Sequence, residues 1–258
     1  MSKTVLHYCH LLLLLSVAGM GAAQVPANVR EAGTTSLLLL YRCKPENRPA
    51  FRSYLQRTEL PRLRAMQKAG SLAEERILFS RYVDSENWDA LIFLQFPSPQ
   101  AASAWSAIET ATPAGLDAEG LRLVASVSTY PLDLMQTGKA ATPASHPVYL
   151  VLPYDYTVSP DEYIAYLRDY VQPQAAGWID EEVLESYHMY IGRDASGRPW
   201  SSILLLEYKD DQSFGRRTAV INDVRAKLRN NPTWKAISDR KQSVRLERAS
   251  IIADEIDR

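Results

Sequence analysis

Shifted by 112 positions, the chain lies on itself. Residues 36–96 align with 148–208 without a gap. Tyr54 and Leu55 fall on Tyr166 and Leu167, Pro61 on Pro173, Leu72 on Leu184, Arg81 on Arg193 and Trp88 on Trp200. Leu38 and Leu40 fall on Leu150 and Leu152, and the apolar run 91–96 falls on 203–208. With only 5 Trp in 258 residues, a Trp match in one register with a Pro match is poorly explained by chance. A repeat of this length is one supersecondary unit used twice. Whatever fold the first half adopts, the second half must adopt too.

Each half reads as the same order of elements. Leu37–Tyr41 is a short continuous apolar run, as expected of a strand covered on both faces. A helix from Pro49 to Ala69 follows, closed by Gly70 in the usual place for a left-handed cap. Its counterpart opens at Ser159-Pro160-Asp161-Glu162, where Ser can cap, Pro suits the first turn and Glu can complete a capping box. Pro61 and Pro173, at the same depth, predict a kink or break in both helices. Glu75–Val83 and Trp88–Phe96 form a hairpin, repeated as Leu184–Arg193 and Trp200–Lys209. Second helices start at Ser98-Pro99 and at Asp210-Asp211, and a further helix is expected over Pro232–Ser243. Strands over Leu121–Tyr130 and Val244–Ile252 close the halves. The order strand, helix, strand, strand, helix, strand is the ferredoxin-like βαββαβ unit. The organisation is therefore α+β, with repeats over 36–132 and 148–258, a linker over 133–147 and a loose arm over 24–35. The runs 91–94 and 203–206 are apolar on both parities, so each sheet needs cover on its second face. Packing the two sheets together as an internal barrel supplies it.

Ahead of the arm, residues 1–23 carry Lys3, an apolar run from Leu11 to Met20 and a small-residue exit, Gly21-Ala22-Ala23. The run is about half of what a bilayer span needs, and the pattern is that of a secretory signal peptide. The expected product is exported, periplasmic or secreted, with no stable membrane insertion once the signal is removed. Its one remaining thiol, Cys43, is read as buried and inert. With Lys+Arg 29 against Asp+Glu 30, binding of nucleic acid through bulk charge is not expected. A monomer or weak homo-oligomer is the expected state.

The Leu-rich first strand, the Lys44-Pro45-Glu46 stretch leading into the helix and the central hairpin make the chain similar to the dimeric α+β barrel superfamily, in a fused, two-repeat form. That resemblance covers nearly the whole mature chain and rests on architecture, without a diagnostic catalytic motif. It implies a range of activities: cofactor-independent monooxygenases acting on aromatic compounds, haem-binding and haem-degrading enzymes, and stress-responsive proteins. Fold alone does not choose among them. Its haem enzymes commonly ligate iron through a helical histidine, whereas here His146 lies in the linker and His188 on a strand. No cofactor and no metal site are expected.

No phosphate-binding Gly loop, His-Glu-x-x-His, Cys-x-x-Cys or Gly-x-Ser-x-Gly motif is present, which argues against the standard hydrolase and metalloprotein classes. His188 and Glu207 are the candidate catalytic residues. If the hairpin pairs residues whose numbers sum to an odd value, the two share a face, and a carboxylate beside the imidazole would raise its basicity. The alternative is a strand histidine bonded to a tyrosine. Nine of the 14 tyrosines lie in the second repeat region. Tyr154, Tyr156, Tyr187 and Tyr190, on or beside strands, are candidates with Trp200 for a pocket taking a small apolar or aromatic ligand. Tyr163, Tyr166 and Tyr170 read as a helical stripe facing the core. Trp88 and Trp200 are either structural plugs or binding platforms. Arg81 and Arg193 either bind a carboxylate or pair across the hairpin. The basic stretch 216–248 reads as a solvated face. Ligand binding in the second repeat is the leading expectation, with a monooxygenase-like enzyme using His188 as base, or a non-catalytic interaction protein, as alternatives.

Overall fold

The computed structural model describes residues 35–256; the segment read as a signal peptide and nearly all of the expected arm lie outside them. The first half comprises β1 (Ser36–Cys43), α1 (48–68), β2 (Glu74–Ser80), β3 (Ala90–Gln95), α2 (Pro99–Ala111), α3 (Ala118–Leu123) and β4 (Val124–Lys139). The second comprises β5 (Val148–Tyr156), α4 (160–180), β6 (Leu184–Gly192), β7 (Ser202–Tyr208), α5 (Asp211–Leu228), α6 (Pro232–Asp239), β8 (Arg245–Glu247) and β9 (Ile251–Glu255).

Strand edges decide how the halves combine. The first half orders its strands β4-β1-β3-β2 and the second β9-β5-β7-β6, all antiparallel. An open edge exposes unpaired backbone groups. Here both edges of each sheet are consumed, β4 by β6 and β2 by β9, and the eight strands close into a barrel. β8 adds to β5 outside the closure. The halves are thus hydrogen-bonded along both seams as well as stacked. Exchanging them reproduces the strand order, so a pseudo-twofold axis runs along the barrel. Each seam carries matching links. Arg81 donates through its backbone N–H to Ile252 and through its guanidinium to Asp254, while Arg193 does the same to Pro131 and Asp133. Both arginines therefore pair across a seam to the other half rather than across their own hairpin.

Alternation along the strands sorts side chains into three layers. Leu37, Leu39 and Tyr41 face the helices of the first half, and Leu152, Tyr187 and Leu204 face those of the second. Leu38, Leu91, Phe93, Val151, Tyr190 and Leu205 fill the barrel. One register differs from the uniform shift of 112. Val151 and Tyr149 point inward where that shift would send Leu150, so β5 sits one residue out of step with β1. A strand that is apolar on both parities tolerates this slip, which is why the Leu38–Leu150 and Leu40–Leu152 matches misled.

Both prolines are accommodated without a break. Residues Leu55–Glu59 and Leu167–Val171 form one π turn each, and the Leu60 and Gln172 N–H groups reach back five residues to Leu55 and Leu167. The wide turn moves aside the carbonyl that the proline ring would strike, and a proline needs no acceptor for the N–H it lacks. Four further expectations are revised. The strand placed over 121–130 begins as helix α3, capped by Asp117 accepting from the Gly120 N–H at 2.9 Å. The segment 133–147 is not all linker, because β4 continues to Lys139 and builds the seam with β6. The strand over 244–252 is two, β8 and β9. The helix begun at Pro232 ends at Asp239, with a separate 3₁₀ turn over Lys241–Ser243.

At the β4–β6 seam, Gly138 stands opposite Tyr187, and a Cβ on it would lie 2.4 Å from Tyr187 Cε1. Gly138→Ala is expected to cost about 1–3 kcal/mol through overpacking. Gly215→Ala, in α5 with open space around it, should gain about 0.5–1 kcal/mol from helix propensity. Urea midpoints of the two variants moving in opposite directions would check both statements.

Candidate functional site

The inward positions differ between the barrel's two ends. At one end Arg76, Gln95, Ser36 and Glu74 come from the first half, and His188, Glu207, Tyr149 and Ser186 occupy the equivalent positions in the second. Ser36 donates to Gln95 Oε1 at 2.5 Å. In the matching place the Tyr149 hydroxyl lies 2.9 Å from Glu207 Oε1 and 2.6 Å from Glu255 Oε2. Ser186 donates to Glu207 Oε2 at 2.5 Å. Arg76 stands among these acids, 3.1 Å from Glu74, 3.9 Å from Glu255 and 4.0 Å from Glu207. Burial disfavours its charge, but Tyr149, Glu207, Glu74 and Glu255 together outweigh burial and hold its pKa above the ordinary value.

His188 lies in this end. The β6–β7 register sums to 393 along most of its length, for example His188↔Leu205, so His188 and Glu207 do share the barrel face. They are not a bonded pair. Glu207 is engaged by Ser186 and Tyr149, and His188 Nδ1 has no hydrogen-bond partner among the described residues. The imidazole lies nearly parallel to the Tyr190 ring, centroids 6.1 Å apart. Burial first, then Arg76 and Lys139, pushes its pKa down to about 3. Basicity thus falls where a carboxylate partner would have raised it, and the ring is neutral near pH 7. The pocket beside it measures about 30 Å³, room for little more than a water molecule.

The opposite end is open. A cavity of about 470 Å³ runs into it, walled by Leu38, Leu40, Leu91, Val151 and Ile203, with Trp88, Trp200 and Tyr130 toward the mouth. The two tryptophans project into it from equivalent places in the two halves. Trp200 packs on Tyr130 at 4.9 Å between ring centroids. Ser126, Ser128, Arg42 and Arg248 supply polar groups at the rim. This size and lining suit a small-molecule site. Both halves build it, so it is not confined to the second repeat.

No protein-family model matches the sequence, and no curated protein matches it. Three solved structures share its architecture across most of both chains. A protein from Lactobacillus acidophilus NCFM assigned as a monooxygenase aligns with a TM-score of 0.54 at 12% identity, covering 86% of this chain and 93% of its own. One from Fusobacterium nucleatum subsp. nucleatum with the same assignment gives 0.55 at 14%, covering 87% and 94%. An anthrone oxidase-like protein gives 0.53 at 14%, covering 89% and 93%. What the three share with this chain is the fold, an α+β barrel closed by eight antiparallel strands.

Within this α+β barrel the candidate tyrosines divide by strand parity. Tyr190 faces inward and stacks on Phe93 at 5.3 Å, but at the closed end, beside His188. Tyr154, Tyr156 and Tyr187 face the helices. Tyr156 opens a ladder that continues through Tyr163, Tyr166 and Tyr170 to Trp234, with successive centroids 4.7, 5.8, 5.0 and 4.9 Å apart. Arg245, half-buried in a basic stretch otherwise solvated or paired, lies over Tyr154 at 3.9 Å. The second-half helix–sheet layer is thus filled by its own aromatics. Of the candidates, Trp200 alone lines the large cavity, and Trp88 joins it there. Sequence reasoning missed Leu38, Leu40, Leu91, Val151, Ile203 and Tyr130 as wall residues; strand parity combined with barrel closure would have named most of them.

Haem does not fit the histidines of this α+β barrel. His188 faces a pocket far smaller than a macrocycle, and His146 stands exposed before β5. Cys43 is half-buried beside Asp89, and burial followed by that carboxylate pushes its thiol up to about 12, which makes it a poor nucleophile.

Proposed function

We propose that this α+β barrel, exported by its leader segment, binds one small apolar or aromatic molecule in the open chamber between its two halves. The observation that carries this reading is the chamber itself: about 470 Å³, apolar within and flanked by two equivalent tryptophans. Aliphatic walls give such a ligand a driving force of about 25 cal/mol per Å² removed from water. The indole and phenol rings offer stacking surfaces. Two neighbours of the same fold are assigned as monooxygenases and a third is anthrone oxidase-like, which suggests aromatic ring systems as the first compounds to try. The enzymatic alternative, with His188 as base, has less support. That ring is neutral but sits at the closed end, away from the chamber, with no room beside it for a substrate.

The experiment uses N-phenylnaphthylamine, an uncharged fluorescent probe of suitable size. The mature protein should take up one equivalent, with energy transfer from tryptophan to the probe. Ser128→Trp, which fills the chamber from β4, should weaken uptake at least about tenfold while leaving the urea midpoint near that of the parent. Absence of uptake, or equal uptake by Ser128→Trp, overturns the reading and leaves a structural or partner-binding barrel.

A further inference from the structure

We infer that the chamber's ligand is an anion: a ring system or apolar body bearing one oxyanion group, carboxylate or sulfonate in kind, received by Arg42. This rests on the reading that the chamber binds a ligand at all.

Position comes first. Arg42 follows Leu38 and Leu40 along the inward face of β1, and the β1–β4 pairing slips at Arg42/Cys43. Bulges of this kind re-aim a side chain at a barrel rim. Arg42 lines both the 470 Å³ chamber and an adjoining cleft of about 290 Å³ that Lys44, Asp84 and Asp89 also border. It therefore stands where the body of a ligand ends and its polar group begins.

Available donors come second. The Arg42 guanidinium donates to the Ser85 carbonyl across the hairpin turn. That anchor fixes the side chain and uses few of its five N–H donors, leaving a fork suited to an oxyanion. The acids nearby are already engaged. Asp84 accepts from the Glu86 N–H and the Asn87 side chain, Asp89 from Arg48 and the Cys43 N–H, and Asp155 from Arg248. Glu86 also lines the chamber but stands exposed on the turn, where water screens it. Beside apolar walls the field of a half-buried cation is screened less. The open chamber thus pairs an apolar interior with two arginines at its edge, Arg248 bound to Asp155 and Arg42 held by a carbonyl alone.

A matched pair of probes tests this. Anilinonaphthalene sulfonate has the N-phenylnaphthylamine skeleton plus one sulfonate. The mature protein should bind the sulfonate at least about tenfold tighter than the uncharged probe, one per chain. In R42Q that ratio should collapse toward one, and in R42K it should be partly retained, with the fold of each variant checked by its urea midpoint. Equal affinity of the parent for the two probes, or an unchanged ratio in a folded R42Q, overturns the anion inference and leaves the chamber reading standing. Failure of the parent to bind either probe overturns both.

Discussion

Arg76→Met should cost about 1–3 kcal/mol of stability, the expected penalty for leaving part-buried acids without their counter-charge. Arg76 stands at the closed end of the barrel among Glu74, Glu207 and Glu255, under the ring of Tyr149 at 5.5 Å. Without it, Glu207 and Glu255 share the Tyr149 hydroxyl with no buried counter-charge. Methionine fills most of the volume, so the loss reports charge rather than a cavity. Urea unfolding at neutral pH measures it. Adding Glu207→Gln and Glu255→Gln to Arg76→Met should recover a large part of the loss. If the triple variant is no more stable than Arg76→Met, the cluster's contribution is packing and the electrostatic account fails.

The second large effect is a pH dependence. His188 has a pKa of about 3 in the fold, against 6.5 as its ordinary value. Between those values the unfolded chain takes up a proton that the folded chain refuses. Stability is therefore complete above pH ~6.5 and declines as the pH falls toward ~3, by up to about 1.4 kcal/mol per unit across the window. Acids paired in the fold add losses of their own at low pH, so the diagnostic quantity is a difference. His188→Leu should unfold at nearly the parent's urea concentration at pH 7.5 and exceed the parent by about 2–3 kcal/mol at pH 4.5. Parallel stability curves from pH 7.5 to 4.5 would show that His188 protonates freely in the folded barrel.

Repetition made the architecture legible. Tyr54 and Tyr166, Pro61 and Pro173, and Trp88 and Trp200 each hold structurally equivalent places, and the caps at Ser98, Ser159 and Asp210 all form. What stayed hidden depended on closure. The match of Leu38 to Leu150 looked as good as any, but only the β5–β7 pairing reveals that Val151 is the inward partner. The excess of tyrosine pointed to the second repeat as a pocket. Tyr154, Tyr156 and Tyr187 instead face their own helices, on the outward parity of β5 and β6, and Tyr190 turns inward only at the closed end. The odd hairpin sum did place His188 and Glu207 on one face. It could not foresee that Tyr149 and Ser186 would occupy the carboxylate. For a strand apolar on both parities the facing, and for a polar group the occupancy, depend on strands distant in sequence.

Covalent joining of the two halves has a consequence for the closed end. In a symmetric pair of identical subunits, any residue near the twofold axis meets its own copy, so an arginine at position 76 would confront a second arginine and a glutamate at 207 a second glutamate. A single chain escapes that constraint. Arg76 shares its pocket with His188, its neutral counterpart in the other half, and Gln95 stands where that half has Glu207. The result is a heterodimer in electrostatic terms, assembled without any dependence on concentration, with a polarity across its axis that no homodimer of either half could possess.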